Sequence, residues 1–348
     1  MVPLEILKPL LAAADEFLRQ APWRWMSDSQ VIGLKHPQTG EVLLCSVLGN
    51  LGQLYALQVY RREAGHRWLL TTVADDVQGE PWAWFQEKGF EADLIEVEFT
   101  TRADLWREDR AALTAAAYSP IRKRGHVWPL FRSILPGYLP WPVNAEEART
   151  LLFALPRALA VARLAQACPN LWDDHPPGEV AFVPEDFDPA GDALRPEDIN
   201  WHPLLPPAEP MPAPVTLSEG KLRRFAALPQ AQGFQLELDT FYLPQALTGP
   251  ERPWFPTVAL AVDRASGLVV SFKISEQLST DPSPMLASVL SKALDYLRHR
   301  PESLHVRRSR VARMLEPVAA QLDIPVRLEP ELPALNEACA GLEQMLGF

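Results

Sequence analysis

A chain of 348 residues is longer than one hydrophobic core usually organises, so two domains are expected. Its 47% hydrophobic and 22% charged residues exclude the disordered class, which lacks apolar surface to bury. A formal net charge of −11 opposes the phosphate backbone and argues against nucleic acid as a general partner unless a local basic face exists.

The first element is an amphipathic helix. Leu4, Leu7, Leu10, Leu11, Ala14, Phe17 and Leu18 recur at helical spacing, while Glu5, Lys8, Asp15 and Glu16 interrupt the run and rule out a secretory signal. Residues 30–35 and 41–48 read as strands joined by a turn ending at Gly40; residues 53–61 and 68–73 read as a third and a fourth strand. A short aromatic helix is expected over 80–89, and 93–100 alternates as a further strand through Leu94, Ile95, Val97 and Phe99. The N-terminal part is therefore expected to be an antiparallel sheet with helices.

Asn144 followed by Glu147 predicts a reciprocal cap for a helix whose apolar face runs through Leu151, Leu152, Leu155, Leu159 and Leu164, with Pro156 expected to kink it. The run 151–168 contains Pro156, Arg157 and Arg163, so no membrane span or membrane partner is expected. Cys45, Cys168 and Cys339 lie far apart without a CxxC pair, which predicts reduced, buried thiols and a cytoplasmic location.

From 173 to 219 prolines and acids accumulate and Arg195 is the only basic residue, the composition of a stiff, solvated connector. The expected organisation is an N-terminal domain over 1–172, a connector over 173–230 and a C-terminal domain over 231–348. That last part opens with strands over 234–243, 257–263 and 268–275, the last two joined by a turn through 264–267. Ser283 and Pro284 then start a helix carrying Met285, Val289, Ala293, Leu294 and Leu297. A strand over 304–306, a helix over 309–322, a strand over 325–328 and a helix over 333–346 complete the order βββαβαβα. The fold class is thus α+β in the first part and α/β in the second.

This order resembles the ribonuclease H-like fold. The resemblance implies two metal ions held by carboxylates on the first strand, near the first helix and at the end of the fourth strand, where they would clamp a phosphate in line. The first strand offers Asp239, with Glu237 on the same face; the fourth ends in His305, Val306, Arg307 and Arg308 with no acid, and the first helix supplies only Asp295 near its far end. A degenerate member without a metal site is therefore expected. The alternative is a metal-dependent nuclease or phosphotransfer enzyme in which Asp263 and Glu276 join Glu237 and Asp239 at one sheet edge.

A second resemblance is carried by His126-Val127-Trp128-Pro129-Leu130-Phe131-Arg132, Pro136-Gly137-Tyr138-Leu139-Pro140-Trp141 and Glu146-Glu147-Ala148-Arg149, with Ser46-Val47-Leu48-Gly49 and Gly52 in the sheet. These segments are similar to an uncharacterised bacterial family known only as domains of unknown function, and they import no activity. Relatives sometimes carry a cysteine-rich, zinc-binding tail that the residues up to Phe348 do not include, so no role resting on it is expected.

Two segments stand out as candidate sites. Trp128, Phe131, Tyr138 and Trp141, held among prolines with Arg132, could form a platform for a peptide, base or sugar with the guanidinium pairing an anion; capping the core is the favoured reading, because large aromatics bury area first. Arg307, Arg308, Arg310 and Arg313, with Arg298, His299, Arg300 and His305 close by, form the one basic run. It could contact phosphate, but a solvated face neutralised by Asp186, Asp188 and Asp192 is the favoured reading. The histidines do not converge at ligand spacings, and neither Asp75-Asp76 nor Asp173-Asp174-His175 has a calcium-loop pattern, so no metal or other cofactor is expected. Nucleophile elbows, phosphate-cradling loops and dinucleotide fingerprints are absent from the sequence. The residues point to a non-catalytic binding or interaction protein whose partner is a protein or small molecule.

Overall fold

The computed structural model describes residues 2–74, 89–121, 125–176, 178–205, 207, 211–249, 251–279 and 281–346. They divide into two compact units, one formed by 1–136 and 140–208, the other by 137–139 and 209–348. The expected helix over 80–89, apart from Gly89, and the pair Asp75-Asp76 fall outside the described residues.

The first unit runs α1 (Leu4–Gln20), β1 (Ile32–Lys35), β2 (Val42–Leu48), β3 (Ala56–Tyr60), α2 (Arg62–Ala74), β4 (Leu94–Thr100), α3 (Arg107–Ala115), β5 (Trp128–Ile134), β6 (Trp141–Pro142), α4 (Ala145–Ala167), β7 (Glu179–Phe182) and β8 (Asn200–Pro203). Its eight strands lie in the order β6-β5-β4-β3-β2-β1-β7-β8. Every neighbouring pair is antiparallel except β1 and β7, so the sheet is mixed where an antiparallel one was expected. The exception follows from connectivity. Hairpins reverse the chain, whereas β7 is reached only after the α4 crossover and can return in the direction of β1.

Residues 68–73, expected as a strand, belong to α2. The run Thr71-Thr72-Val73 carries β-branched preference, but position is decided by Leu69, which is buried against the sheet, and by Gly65, which lets the helix touch the β4 entry. The stretch expected as a solvated connector instead supplies β7 and β8. Its prolines and acids surround Val180, Ala181, Val183, Phe187 and Ile199, all buried, and those apolar residues determine its fate.

The main core of this unit lies between the sheet and the pair α1 and α4. Asn144 Oδ1 accepts from the amides of Glu146 and Glu147, and Glu147 Oε2 accepts from the Asn144 amide, so the predicted cap forms. α4 is continuous through Pro156. By length and composition it is long and apolar enough to cross a membrane, yet Leu151, Leu155, Leu159, Val161 and Ala162 are buried in the protein core.

The second unit runs α5 (Glu219–Ala226), β9 (Gln235–Tyr242), β10 (Thr257–Asp263), β11 (Val269–Ile274), α6 (Ser283–Leu297), β12 (Ser303–Val306), α7 (Ser309–Gln321), β13 (Val326–Leu328) and α8 (Pro333–Leu346). The strands form a mixed sheet in the order β11-β10-β9-β12-β13; the first three are antiparallel, and β12 and β13 run parallel to β9. Alternation along β9 separates its two faces. Leu236 and Leu238 join the core under α6 and α7, whereas Phe241 packs on the opposite side with Leu332, Leu335 and Leu342 at α8.

Two glycines test this packing in opposite directions. A Cβ on Gly65 would sit 2.1 Å from the backbone oxygen of Asp93, whereas one on Gly341, inside α8, meets nothing within 4 Å. Gly65→Ala is expected to destabilise its unit by about 1–3 kcal/mol through overpacking. Gly341→Ala should stabilise by up to about 1 kcal/mol through helix propensity. Urea unfolding of the two variants checks the opposed signs.

Candidate functional site

The two acids expected to anchor a metal lie on the α8 side of β9, and both are fully buried at 0% exposure. Asp239 Oδ1 accepts from Arg308 Nε at 3.1 Å and Arg308 Nη2 at 2.5 Å, and Arg307 Nε stands 3.9 Å from Oδ2. Arg308 also donates to the hydroxyl and backbone oxygen of Thr240. Glu237 Oε2 accepts from the Leu335 amide in the first turn of α8 at 2.8 Å, while Arg264 Nε lies 3.6 Å from Oε1. Guanidinium groups therefore stand against both carboxylates.

Asp263 and Glu276 do not join them. Asp263 pairs with Leu236 in register, which puts it on the other sheet face, and its carboxylate holds the β10–β11 turn through Ala265 and Ser266. Glu276 is exposed beyond the opposite end of β11, past the Val258 and Ile274 pair. Among the described residues no group of three or more histidine, cysteine, aspartate or glutamate side chains is placed to hold a metal ion. The residues present do not fit a two-metal centre.

The basic run is likewise divided. Arg307 and Arg308 turn toward Asp239, Arg310 is exposed on α7, and Arg313 is half-buried there. Asp188 and Asp192, expected to neutralise these arginines, accept bonds from the Ala190 and Asp188 amides of their own loop.

Next to these ion pairs lies a further arrangement that sequence spacing did not suggest. Ser303 Oγ is 2.8 Å from His305 Nε2, and His305 Nδ1 is 2.8 Å from Glu329 Oε1 and 2.6 Å from Arg264 Nη1. The order serine, histidine, glutamate is that of a hydrolytic triad. Ser303 is 0% exposed, however, so its hydroxyl cannot reach a substrate and the chain of bonds is structural.

The aromatic segment is split between the units. Tyr138, in 137–139, bridges to Trp254 and lies under the Arg252 guanidinium at 5.1 Å, all within the second unit. Trp128 and Trp141 are half-buried in the first unit with different neighbours. Tyr118 meets Trp128 edge-on at 6.2 Å, whereas Trp106 meets Trp141 at 5.7 Å. Phe131 is buried. Arg132 gives two bonds to Asp109, at 2.9 and 2.6 Å, and stacks 4.3 Å over Trp106, so its charge is already matched.

Gln58, Glu96 and Arg132 are register neighbours across β3, β4 and β5, and all three are buried. Gln58 Nε2 donates to Glu96 Oε2 at 2.8 Å, and the Tyr60 hydroxyl donates to Gln58 Oε1 at 2.5 Å. Burial pushes the Glu96 carboxyl up to about 7; the Gln58 bond works against that shift, Glu98 adds to it, and Arg132 opposes it. The polar positions Glu96 and Glu98 in an otherwise apolar strand were the available signal.

Over β2, β1, β7 and β8 the same unit carries a groove of about 520 Å³. Val42, Leu44, Val180 and Phe182 line it, with His66, Asn200, His202 and Leu205 also contributing. Gly33 is what lets Phe182 lie flat, since a Cβ there would fall 2.6 Å from the ring. His66 Nε2 donates to the Val42 carbonyl at 3.1 Å, and burial holds that imidazole below its ordinary pKa. A smaller cleft of about 290 Å³ lies beside Cys168 and Asp174, walled by His175 stacked 3.7 Å from Trp201.

Residues 8–182 match the domain of unknown function DUF7309. The chain belongs to that family. Residues 221–343 match a second domain of unknown function, DUF6930, and no curated protein matches the chain. Neither family description carries an activity, so the geometry alone must suggest one.

Arg308→Ala leaves Asp239 buried and should cost about 3–5 kcal/mol, much of it recovered when Asp239→Asn is added, as read from a double-mutant unfolding cycle. For Glu96 the folded carboxyl titrates near 7 and the unfolded one near 4.5, so between those values the folded state keeps a proton that the unfolded state has lost. Its contribution is therefore most favourable below pH 4.5 and declines up to pH 7. Glu96→Gln should flatten this slope and raise stability most at pH 8, measured by denaturation at several pH values.

Proposed function

We propose that this protein is a non-catalytic, protein-binding member of its family, whose second unit is a ribonuclease H-like domain without its metal site. The strand order β11-β10-β9-β12-β13, with helices following β11, β12 and β13, supports the ribonuclease H-like reading. One observation carries the non-catalytic part: Arg308, just past the end of β12, places its guanidinium on Asp239. A metal cluster there would have to displace two arginines from a fully buried carboxylate and would find no acid from the fourth strand.

The groove of the first unit is the proposed contact surface. Its apolar floor with scattered polar groups suits contact with another molecule, and its open position on a sheet face suits side chains of a protein better than a small ligand needing enclosure. Leu205 is 72% exposed at its rim and can be changed without disturbing the core.

The test has two arms. Single- and double-stranded DNA and RNA should remain uncleaved with magnesium or manganese; cleavage lost in Asp239→Asn would overturn the non-catalytic reading. In capture from lysate, a specific protein partner should be lost with Leu205→Asp and retained with Trp141→Ala. The reverse pattern would move the contact surface to the aromatic segment.

A further inference from the structure

Among the described residues the two sheets have four free edges, and three are blunted. β6 has two residues and contains Pro142, β8 contains Pro203, and β13 has three residues. β11 differs: it has six residues, no proline, and neighbours only β10. Phe272 is 55% exposed and Ile274 42%, and Val269 is exposed as well.

The backbone direction of β11 follows from its pairing. The Ser275 amide donates to the Thr257 carbonyl, so by antiparallel alternation Lys273 and Ser271 also bond inward, toward Ala259 and Ala261. Phe272 and Ile274 then direct their amides and carbonyls off the sheet. Among the described residues no hydrogen bond reaches these groups. Backbone groups aligned beside exposed apolar side chains are complementary to another strand, not to a helix or a small ligand.

We infer that β11 pairs antiparallel with β11 of a second copy of this chain, joining two five-stranded sheets into one of ten. The residues select both the occupant and the register. With the two-fold axis at Phe272, the two Phe272 rings meet and each Lys273 faces Ser271 of the other copy. Moving the axis to Lys273 would put two ammonium groups opposite each other, which cross-strand pairing disfavours. The bulge between Ala261 and Val262 lies toward the β11 start and confines regular pairing to the part around Phe272.

Sedimentation equilibrium of the full chain tests this. The 38.9 kDa chain should give a concentration-dependent dimer. Phe272→Glu should weaken it at least about tenfold, a change of about 1.4 kcal/mol, while Tyr296→Glu, on an exposed residue of α6, should leave it unchanged. Under mild oxidation Phe272→Cys should cross-link to a covalent dimer, because directly opposed residues in such a pair bring their Cα atoms within disulfide range. Leu268→Cys, placed across from Glu276 of the other copy, should not. A wild-type chain that stays monomeric at about 100 µM, or a dimer indifferent to Phe272→Glu, overturns the inference.

Discussion

A carboxylate taken out of water must meet positive charge or strong donors, and in the second unit this requirement ties the distant segments together. Asp239 and Glu237 sit two residues apart on β9 with no exposure. Asp239 draws in Arg308, the residue immediately before α7, and Glu237 accepts from the first turn of α8. The helices on both faces therefore begin at points linked to one strand. Such pairs add little net stability after desolvation is counted, but a misplaced α7 or α8 would leave a charge buried alone.

The first unit meets the same constraint by different means. Arg61 lies 3.2 Å from Glu147 and 3.4 Å from Asp93, and Arg62 completes the match on Asp93, so these carboxylates remain paired. Glu96 is bonded to an amide instead, and Arg132 beside it is committed to Asp109. An amide donor stabilises carboxylate charge less than a guanidinium does, which explains why burial dominates at Glu96. The difference between Glu96 and the acids paired with arginine lies in the partner each meets, not in how deeply it is buried.

These arrangements shift attention from chemistry to surfaces. Residue types associated with catalysis are present, including a serine, histidine and glutamate in hydrogen-bonded order, but the serine has no access to solvent. Two apolar features lie open: a groove beside His66 and His202, and a strand edge at Phe272. Exposed apolar surface on an otherwise well-packed protein is where association gains free energy.

Local rules made much of the architecture legible. The Asn144 and Glu147 cap, the apolar stripe of α1 and the order of strands and helices after residue 234 follow from periodicity and capping, which need only neighbours in sequence. The absence of an acid after β12 was equally visible. Other features depended on partners far away in the chain. Thr71, Thr72 and Val73 favour a strand locally, but they continue α2, the helix that Leu69 anchors in the core. The proline-rich stretch reads as solvated until Val180 and Ala181 find β1 as a parallel neighbour. Trp128 and Tyr138 look like one platform because ten residues of sequence cannot reveal that the chain crosses between two units there. Above all, sequence could place Asp239 on a strand and Arg308 near a strand end, but only tertiary structure could close the 3.1 Å contact between them, because the geometry of a buried ion pair is determined by long-range pairing that local preferences do not encode.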